Sequence, residues 1–366
     1  MSFSAIDHAM MARALQLARR GLYTTSPNPR VGCVIASKAD VLGEGFHERA
    51  GESHAEIRAL NAAGERARGA TAYVTLEPCS HHGRTPPCAD ALRAAGVVRV
   101  VAAMEDPNPL VAGKGLAVLR AAGIVTERGL LEDEARELNI GFVSRMTRRR
   151  PWVRLKAAAS LDGKTALNNG LSQWITGEQA RRDGHAWRAR SCAVLTGIGT
   201  VRDDDPQMTV RHVETTRQPL RVVVDSRLET PLSARVLDGA SNDAPVLIAC
   251  AIEDPARSAA LRARGAQVVL LPNSAGKVEL VALLAELARR GINEVLAEAG
   301  FKLNGSLLRE DCVDELLLYL APCLIGEAAQ GLFNLPELAT LGDRRELRIV
   351  DLRRVGEDIR ILARPA

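Results

Sequence analysis

The sequence predicts two α/β domains in succession, and three observations carry that reading. The chain has 366 residues, which at about 150 residues per domain suits two cores better than one. Short β-rich runs alternate with Ala-rich helical stretches through both halves. Between the halves stands Arg148-Arg149-Arg150-Pro151, a charged and proline-terminated punctuation. We place the boundary there, giving segments 1–147 and 151–366. The arginine triplet reads as a solvated linker in preference to an anion site. The halves share a fold class but no motif, so there is no internal repeat.

The first half opens with a helix. Ser4 and Asp7 have the spacing of a capping box, Ile6, Met10, Ala14 and Leu17 recur at helical intervals, and Gly21 stops the segment. The turn Ser26-Pro27-Asn28-Pro29 leads into a strand at Val31 to Ala36, and further strands are expected at Ala72 to Leu76 and Val97 to Met104. Helices fill the gaps at Ala55 to Ala63 and Ala89 to Ala95, ended by Gly64 and Gly96. Gly113 to Asn139 adds a helix, a strand and a helix. In the second half, strands are expected at Val153 to Ala159, Ala193 to Thr196, Leu220 to Asp225, Val246 to Ala251, Val268 to Leu271, Glu294 to Ala297 and Glu315 to Leu320. Helices are expected at Gly177 to Arg190 and Val278 to Arg290.

Composition excludes several classes. The formal charge is +4 and aromatics make up 3% of residues, which provides neither an electrostatic footprint for nucleic acid nor a base-stacking platform. The most apolar stretches, Val246 to Ile252 and Leu316 to Ile325, fall far short of the roughly 18–20 residues of a membrane span. The amphipathic N-terminus carries Asp7 and His8 and does not read as a secretory signal. Seven cysteines, an odd number without regular spacing, argue against a disulfide framework. We expect a cytoplasmic protein in a reducing compartment.

The first chemical constellation is His54-Ala55-Glu56 at the start of a helix, Pro78-Cys79 after a strand, and Cys88 at the start of the next helix. Zinc takes imidazole nitrogen and thiolate sulfur, and three protein ligands leave a fourth position for a water whose pKa falls to about 7. A helix N-terminus beside Cys88 favours the thiolate. Glu56, two residues from His54 and not a ligand, is placed to move the proton from that water to a leaving amine. His-x-Glu followed by Pro-Cys and a second cysteine is a zinc deaminase signature. The other cysteines, Cys33, Cys192, Cys250, Cys312 and Cys323, read as core. Eight residues separate Cys79 from Cys88 where the general signature has two. That insertion carries His81, His82, Arg84 and Thr85 around a glycine, and reads as a loop that holds an anion such as a phosphate beside the metal.

Ser26-Pro27-Asn28-Pro29-Arg30-Val31-Gly32, Gly45-Phe46-His47 through His54-Ala55-Glu56, and Glu77-Pro78-Cys79 to Cys88 resemble the deaminase half of the bifunctional riboflavin-biosynthesis deaminase/reductases. The likeness continues through Ser172-Gln173-Trp174-Ile175-Thr176-Gly177, His185-Ala186-Trp187-Arg188-Ala189, Gly197-Ile198-Gly199-Thr200-Val201 and Asp203-Asp204-Asp205-Pro206, and so covers nearly the whole chain. The resemblance implies a cytidine-deaminase-like α/β/α sandwich with one zinc ion, followed by a dihydrofolate-reductase-like α/β domain that uses NADPH. It implies a diaminopyrimidinone substrate carrying a 5-phosphoribosylamino group, with Asn28 and His47 near the pyrimidine, and then reduction of the ribosyl group to ribityl.

For the second half the resemblance places Ala158, Trp174, Thr200, Asp204, Ser226 and the run Gly300, Phe301, Lys302, Leu303, Asn304, Gly305 and Ser306 at the cofactor. Ser172, Arg188, Met208, Arg211 and Glu298 fall at the substrate. A helix N-terminus flanked by glycines at Gly300 is a natural anion cradle, and Arg227 after the Val222 to Asp225 strand suits a 2′-phosphate. Lys156, beside Asp162, reads as the catalytic cation that meets the developing negative charge. Ala299 departs from relatives that have a second glycine before Gly300. The expected partners are a small-molecule substrate and further copies of the chain as a dimer or tetramer, with no nucleic acid and no membrane. Two alternatives stay open: a deaminase of free or RNA nucleobases, and a structural zinc site joined to a nucleotide-sensing module. The near-neutral charge counts against RNA, and Glu56 counts against a structural site, which needs a fourth ligand instead.

Overall fold

The computed structural model describes residues 3–80, 87–109, 111–241 and 243–366. They form two compact units, Met1–Arg149 and Arg150–Ala366. Among the described residues no helix is long and apolar enough to cross a membrane.

The first unit runs α1 (Ala5–Arg19), β1 (Gly32–Ser37), β2 (Asp40–Phe46), α2 (Ala55–Ala63), β3 (Thr71–Val74), α3 (Cys88–Ala94), β4 (Arg99–Ala102), α4 (Lys114–Ala121), β5 (Val125–Arg128), α5 (Glu132–Leu138) and α6 (Ile140–Arg148). Its sheet has the order β2-β1-β3-β4-β5. Ser4 and Asp7 cap α1 reciprocally, as their spacing predicts. The β1/β2 register pairs Gly32 with Phe46, Cys33 with Gly45 and Ile35 with Gly43. Successive residues face opposite sides of the sheet, so Gly32 and Gly45 look in opposite directions. A Cβ on Gly32 would meet the backbone of Ala14 in α1, and one on Gly45 would meet Ala55 and Ala59 in α2. The sheet is therefore covered on both faces, and Gly45 lets α2, the helix that His54 caps and Glu56 enters, lie close against it.

The second unit runs β6 (Trp152–Ser160), β7 (Lys164–Ala166), α7 (Glu178–Arg190), β8 (Ala193–Gly197), α8 (Ile198–Asp204), β9 (Leu220–Val224), β10 (Val246–Cys250), α9 (Pro255–Ala263), β11 (Ala266–Leu270), α10 (Leu280–Arg289), β12 (Glu294–Ala297), α11 (Phe301–Arg309), β13 (Glu315–Ala321), β14 (Gln330–Gly331), β15 (Leu347–Val355) and β16 (Asp358–Pro365). Nine strands form one sheet, β11-β10-β9-β8-β12-β6-β13-β16-β15, in which β16 alone runs against the other eight. Leu247 and Ala249 join Leu283, Leu287 and Leu307 on one face, while Val246 and Ile248 join Val201 and Leu261 on the other. From β6 the chain winds outward to β11 and then returns to insert β12 between β8 and β6. Strand order reverses there, and ligands of open α/β sheets gather at the C-terminal ends of strands beside such a reversal.

The expected strands all form, but β2, β7, β14 and the C-terminal hairpin β15/β16 carry no apolar run that marks them. In β15, Leu347, Ile349 and Leu352 alternate with arginines and are exposed, because the strand ends the sheet. The arginine triplet is not simply solvated. Arg148 donates to Ser144 Oγ, Arg149 caps α6 in the left-handed conformation at φ 57°, and Arg150 pairs with Asp314 at 2.5 Å. These are structural tasks.

Candidate active sites

In the first unit, His54 is the N-cap of α2, Glu56 lies in its first turn, and Cys88 opens α3. His54 Nδ1 lies 3.7 Å from Cys79 Sγ and 3.3 Å from Cys88 Sγ. All three donor atoms fall within 4.8 Å of one another. Tetrahedral zinc with Zn–S of about 2.3 Å and Zn–N of about 2.0–2.1 Å separates nitrogen from sulfur by about 3.6 Å, so the two distances bracket what the ion requires. The Cys88 backbone N–H donates to Cys79 Sγ at 3.3 Å. The Cys88 thiol, that N–H and His54 together pull the Cys79 thiol down to about 4, against burial. Sharing a proton with Cys79, together with burial, pushes Cys88 up. The pair concentrates negative charge where a cation belongs.

Glu56 is 3% exposed. Burial pushes its carboxyl up to about 7, opposed by its own backbone N–H and by His54. A buried acid near neutrality can both accept and return a proton. Cys33 is packed in the core, as expected, and its thiol is pushed up by burial and by Glu56, whereas Cys323, also expected in the core, is exposed in the loop after β13.

Asn28 and His47 meet beside this cluster. Asn28 Nδ2 donates to His47 Nε2 at 3.0 Å, His47 Nδ1 faces the Ser53 carbonyl at 3.3 Å, and the His47 and His54 rings stand edge to face at 5.4 Å. Burial lowers the His47 pKa, consistent with a neutral ring whose proton is on Nδ1. Glu77 has a task that its place in the Glu-Pro-Cys run does not reveal. Its carboxylate accepts from the backbone N–H groups of Asp106, Gly113 and Leu116 at 3.1, 2.9 and 3.1 Å. A Cβ on Gly115 would sit 1.8 Å from the Pro78 carbonyl oxygen, so α4 buttresses the loop that presents Cys79. His82, Arg84 and Thr85 lie outside the described residues.

In the second unit a cleft of about 380 Å³ opens beside α7. It brings together Lys156, Trp174, Arg188, Arg211 and Glu298, all expected from sequence, and adds His185, His212 and Arg181. A histidine within an amphipathic helix gives no signal of such a role. Five cationic side chains face two carboxylates, an excess of three that suits an anionic ligand. Glu298 holds Arg188 in a bidentate pair at 2.5 and 2.9 Å and lies 3.8 Å from Lys156 Nζ. Although burial acts to raise it, Arg188 and then Lys156 bring the Glu298 carboxyl down to about 2. Burial lowers Lys156, and Glu298 opposes that shift. The partner of Lys156 is thus Glu298 and not Asp162. Lys156 sits in mid-β6, and at about 3.3 Å rise per residue the loop beyond Ser160 is more than three residues' length away. Asp162 instead accepts from Ser160 Oγ and from the Ile325 and Gly326 N–H groups.

The expected cofactor residues spread along the C-terminal edge of the sheet. Thr200 lies in α8 and Gly300 is the N-cap of α11; a Cβ on Gly300 would meet Thr200 Oγ1 at 3.5 Å, and one on Gly197 would meet Leu303 at 3.0 Å. The two helix N-termini therefore adjoin at the β8/β12 reversal. Phe301 and exposed Lys302 form the first turn of α11. Ser226 Oγ accepts from the Val278 N–H. Ser172 Oγ donates to Asp204 at 3.2 Å, and Arg181 stacks over Trp174. Other positions serve packing: Met208 is buried in the core, Ala158 packs beside Trp187 and Tyr319, Gly305 meets the Asn334 backbone, Asn304 is buried with Nδ2 on the Leu332 carbonyl, and Ser306 accepts from Arg309.

A structural zinc site takes a fourth protein ligand and has no use for a buried carboxylate two residues from the first. Among the described residues the cluster has three donors and that carboxylate, which puts the first unit in the class of zinc deaminases. The cytidine and deoxycytidylate deaminase zinc-binding region matches residues 4–104, and the RibD C-terminal domain matches residues 151–361. The riboflavin biosynthesis protein RibD of Escherichia coli is 48% identical over 365 residues, covering 96% of this chain and 98% of that protein. The structure of Acinetobacter baumannii RibD superposes with a TM-score of 0.92 at 44% identity, covering 99% of each chain. A Thermotoga maritima protein described as a diaminohydroxyphosphoribosylaminopyrimidine deaminase/5-amino-6-(5-phosphoribosylamino)uracil reductase superposes at 0.86 with 33% identity, again covering 99% of each. This chain belongs to the RibD family of bifunctional riboflavin-biosynthesis enzymes, with a deaminase domain followed by a reductase domain.

Proposed function

We propose that the chain hydrolytically deaminates 2,5-diamino-6-(5-phosphoribosylamino)pyrimidin-4(3H)-one and then reduces the ribosyl group of the product, 5-amino-6-(5-phosphoribosylamino)uracil, to ribityl with NADPH. The observation that carries the reading is the buried Glu56 beside the His54, Cys79 and Cys88 donors, in one chain with a cationic cleft. When bound, zinc supplies the Lewis acidity that brings the pKa of a water near 7. Glu56 takes a proton from the attacking water and delivers it to the departing amino group, so that ammonia leaves and a carbonyl takes its place. Asn28 and His47 orient the pyrimidine, and the loop carrying His82, Arg84 and Thr85 meets the phosphate.

In the reductase, NADPH supplies a hydride to C1′ of the sugar. Lys156, kept close to Glu298, delivers a proton to the sugar oxygen released from C1′. The Arg188 fork is taken up by Glu298, so Arg211 is the cation that meets the substrate phosphate, with Ser172 and the backbone at Met208 nearby. The cofactor lies along Ala158, Trp174, Thr200, Asp204, Ser226 and the first turns of α11, its phosphates toward the helix N-terminus at Gly300. All seven cysteines are free, which fits a cytoplasmic enzyme. The exposed Ile349 and Leu352 on the edge strand β15 fit pairing with another copy of the chain.

The test follows ammonia release and NADPH oxidation separately, with and without a zinc chelator, using the diaminopyrimidinone substrate. We expect both signals, with chelation stopping ammonia release and starving the reductase. Ammonia without NADPH oxidation would overturn the second half of the reading, and neither signal would overturn both.

A further inference from the structure

We propose that His185 is a positioning residue for the reductase, setting the strap 208–212 so that Arg211 points into the cleft; this rests on the reading of Arg211 as the partner of the substrate phosphate. Met208 and Val210 turn inward and are buried, while Arg211 is exposed and lines the cleft. Both ends are strained: Met208 has φ 57° and His212 φ 63°, left-handed conformations that non-glycine residues adopt only when surroundings impose them.

What imposes them is side chains. Arg188 Nη1 donates to the Thr209 carbonyl at 3.0 Å, Gln218 Oε1 accepts from the Val210 N–H at 2.8 Å, and the Arg211 N–H donates to His185 Nδ1 at 3.0 Å. The bond to His185 is made at the residue whose guanidinium does the binding, and His185 itself lines the cleft from α7. Thr209 in the strap and Gln207 just before it accept only from Nη1 of Arg211, at 3.2 and 3.1 Å. Nε and Nη2 meet no protein acceptor among the described residues, which leaves two donors of the guanidinium fork for a phosphate.

The bond requires Nδ1 of His185 to be unprotonated, with the proton on Nε2. Burial, helped by Arg188, Arg211 and His212 and opposed by Glu298, lowers the ring pKa to about 4, so the acceptor persists through the neutral range.

The experiment measures steady-state kinetics of the full-length enzyme with 5-amino-6-(5-phosphoribosylamino)uracil and NADPH. His185→Ala is expected to raise KM for the uracil substrate about tenfold, the loss of one well-placed bond, while kcat and the KM for NADPH stay within twofold. Asn carries an acceptor oxygen near the place of Nδ1, so His185→Asn is expected to recover most of the loss. Arg211→Ala is expected to raise the same KM more, and the double variant His185→Ala/Arg211→Ala no further than Arg211→Ala alone. Arg211→Ala raising KM while His185→Ala does not would overturn the role of His185 and leave the phosphate reading standing. An unchanged KM in Arg211→Ala would overturn the phosphate reading itself. A His185→Asn variant as impaired as His185→Ala, or additive losses in the double variant, would show that His185 acts through packing and not through Arg211.

Discussion

The metal cluster of the first unit draws its four chemical groups from residues 54 to 88, at two helix starts and one loop, whereas the cleft of the second takes Lys156 from β6, Arg188 from α7, Arg211 from a strap and Glu298 from the end of β12. The difference fits the chemistry we propose for each site. A transition-metal ion fixes donor type and separation to within a few tenths of an ångström, and short-range spacing on rigid helix starts is an economical way to meet that demand. A phosphorylated sugar needs charge and shape at several points, which a sheet can supply from distant strands. Damage to the first site should therefore be local and severe, while damage to the second should spread into stability.

Glu56→Gln gives the sharpest contrast. The amide keeps shape and burial but cannot move a proton, and we expect ammonia release to fall about a thousandfold, within the range of general acid–base catalysis. Zinc content by metal analysis should be unchanged, and so should NADPH oxidation when the deaminated substrate is supplied directly. Retained deamination would remove Glu56 as proton carrier. Parallel loss of reduction would show that the two sites do not fail independently.

Glu298→Gln tests the distributed site. In the folded chain the Glu298 carboxyl is at about 2 against an ordinary 4.5, so the unfolded state binds its proton more readily. A depressed carboxylate contributes stability fully above about 4.5 and loses it as pH falls toward about 2. The shift corresponds to about 3 kcal/mol at neutral pH. We expect Glu298→Gln to lose stability of this order at pH 7, because Arg188 and Lys156 are left without their counter-charge, and to show a flatter acid dependence between pH 4.5 and 2. All three tryptophans, Trp152, Trp174 and Trp187, lie in the second unit, so fluorescence-detected urea unfolding reads this domain. Equal pH slopes in the two proteins would show that Glu298 does not carry the linkage.

How much the sequence disclosed divides along the same line. His54, Glu56, Cys79 and Cys88 were legible because each is the residue type that zinc deamination requires at a recognisable spacing, and the structure brings their side chains together. Parallel strands such as Val246 to Cys250 were legible because burial on both faces makes them continuous apolar runs. The hairpin of β15 and β16 was not, since an edge strand mixes charges with apolar residues. His185 and Glu77 were hidden for another reason: their tasks are to hold backbone N–H groups of Arg211, and of Asp106, Gly113 and Leu116, and such bonds join segments 26 to 39 residues apart. Lys156 was assigned the wrong carboxylate because proximity in sequence is not proximity in space along an extended strand.

Arg227 offers the smallest effect and the finest test of how a distributed site recognises its cofactor. It follows β9 at the C-terminal edge, two residues beyond Asp225, whose carboxylate is turned inward onto the Thr230 N–H and hydroxyl. That inward turn leaves exposed Arg227 as the charged side chain of this turn that faces solvent. An exposed guanidinium gains little from a phosphate in water unless the ligand is otherwise anchored, and the anchor we propose for NADPH is the helix N-terminus at Gly300. We expect Arg227→Ala to raise the KM for NADPH about tenfold, equivalent to about 1.4 kcal/mol, and to leave the KM for NADH unchanged, because NADH lacks the 2′-phosphate. Equal changes for both cofactors would assign Arg227 to the turn rather than to the phosphate. No change for either would leave selectivity to the backbone cradle, and the second site would then be more local than its scattered residues imply.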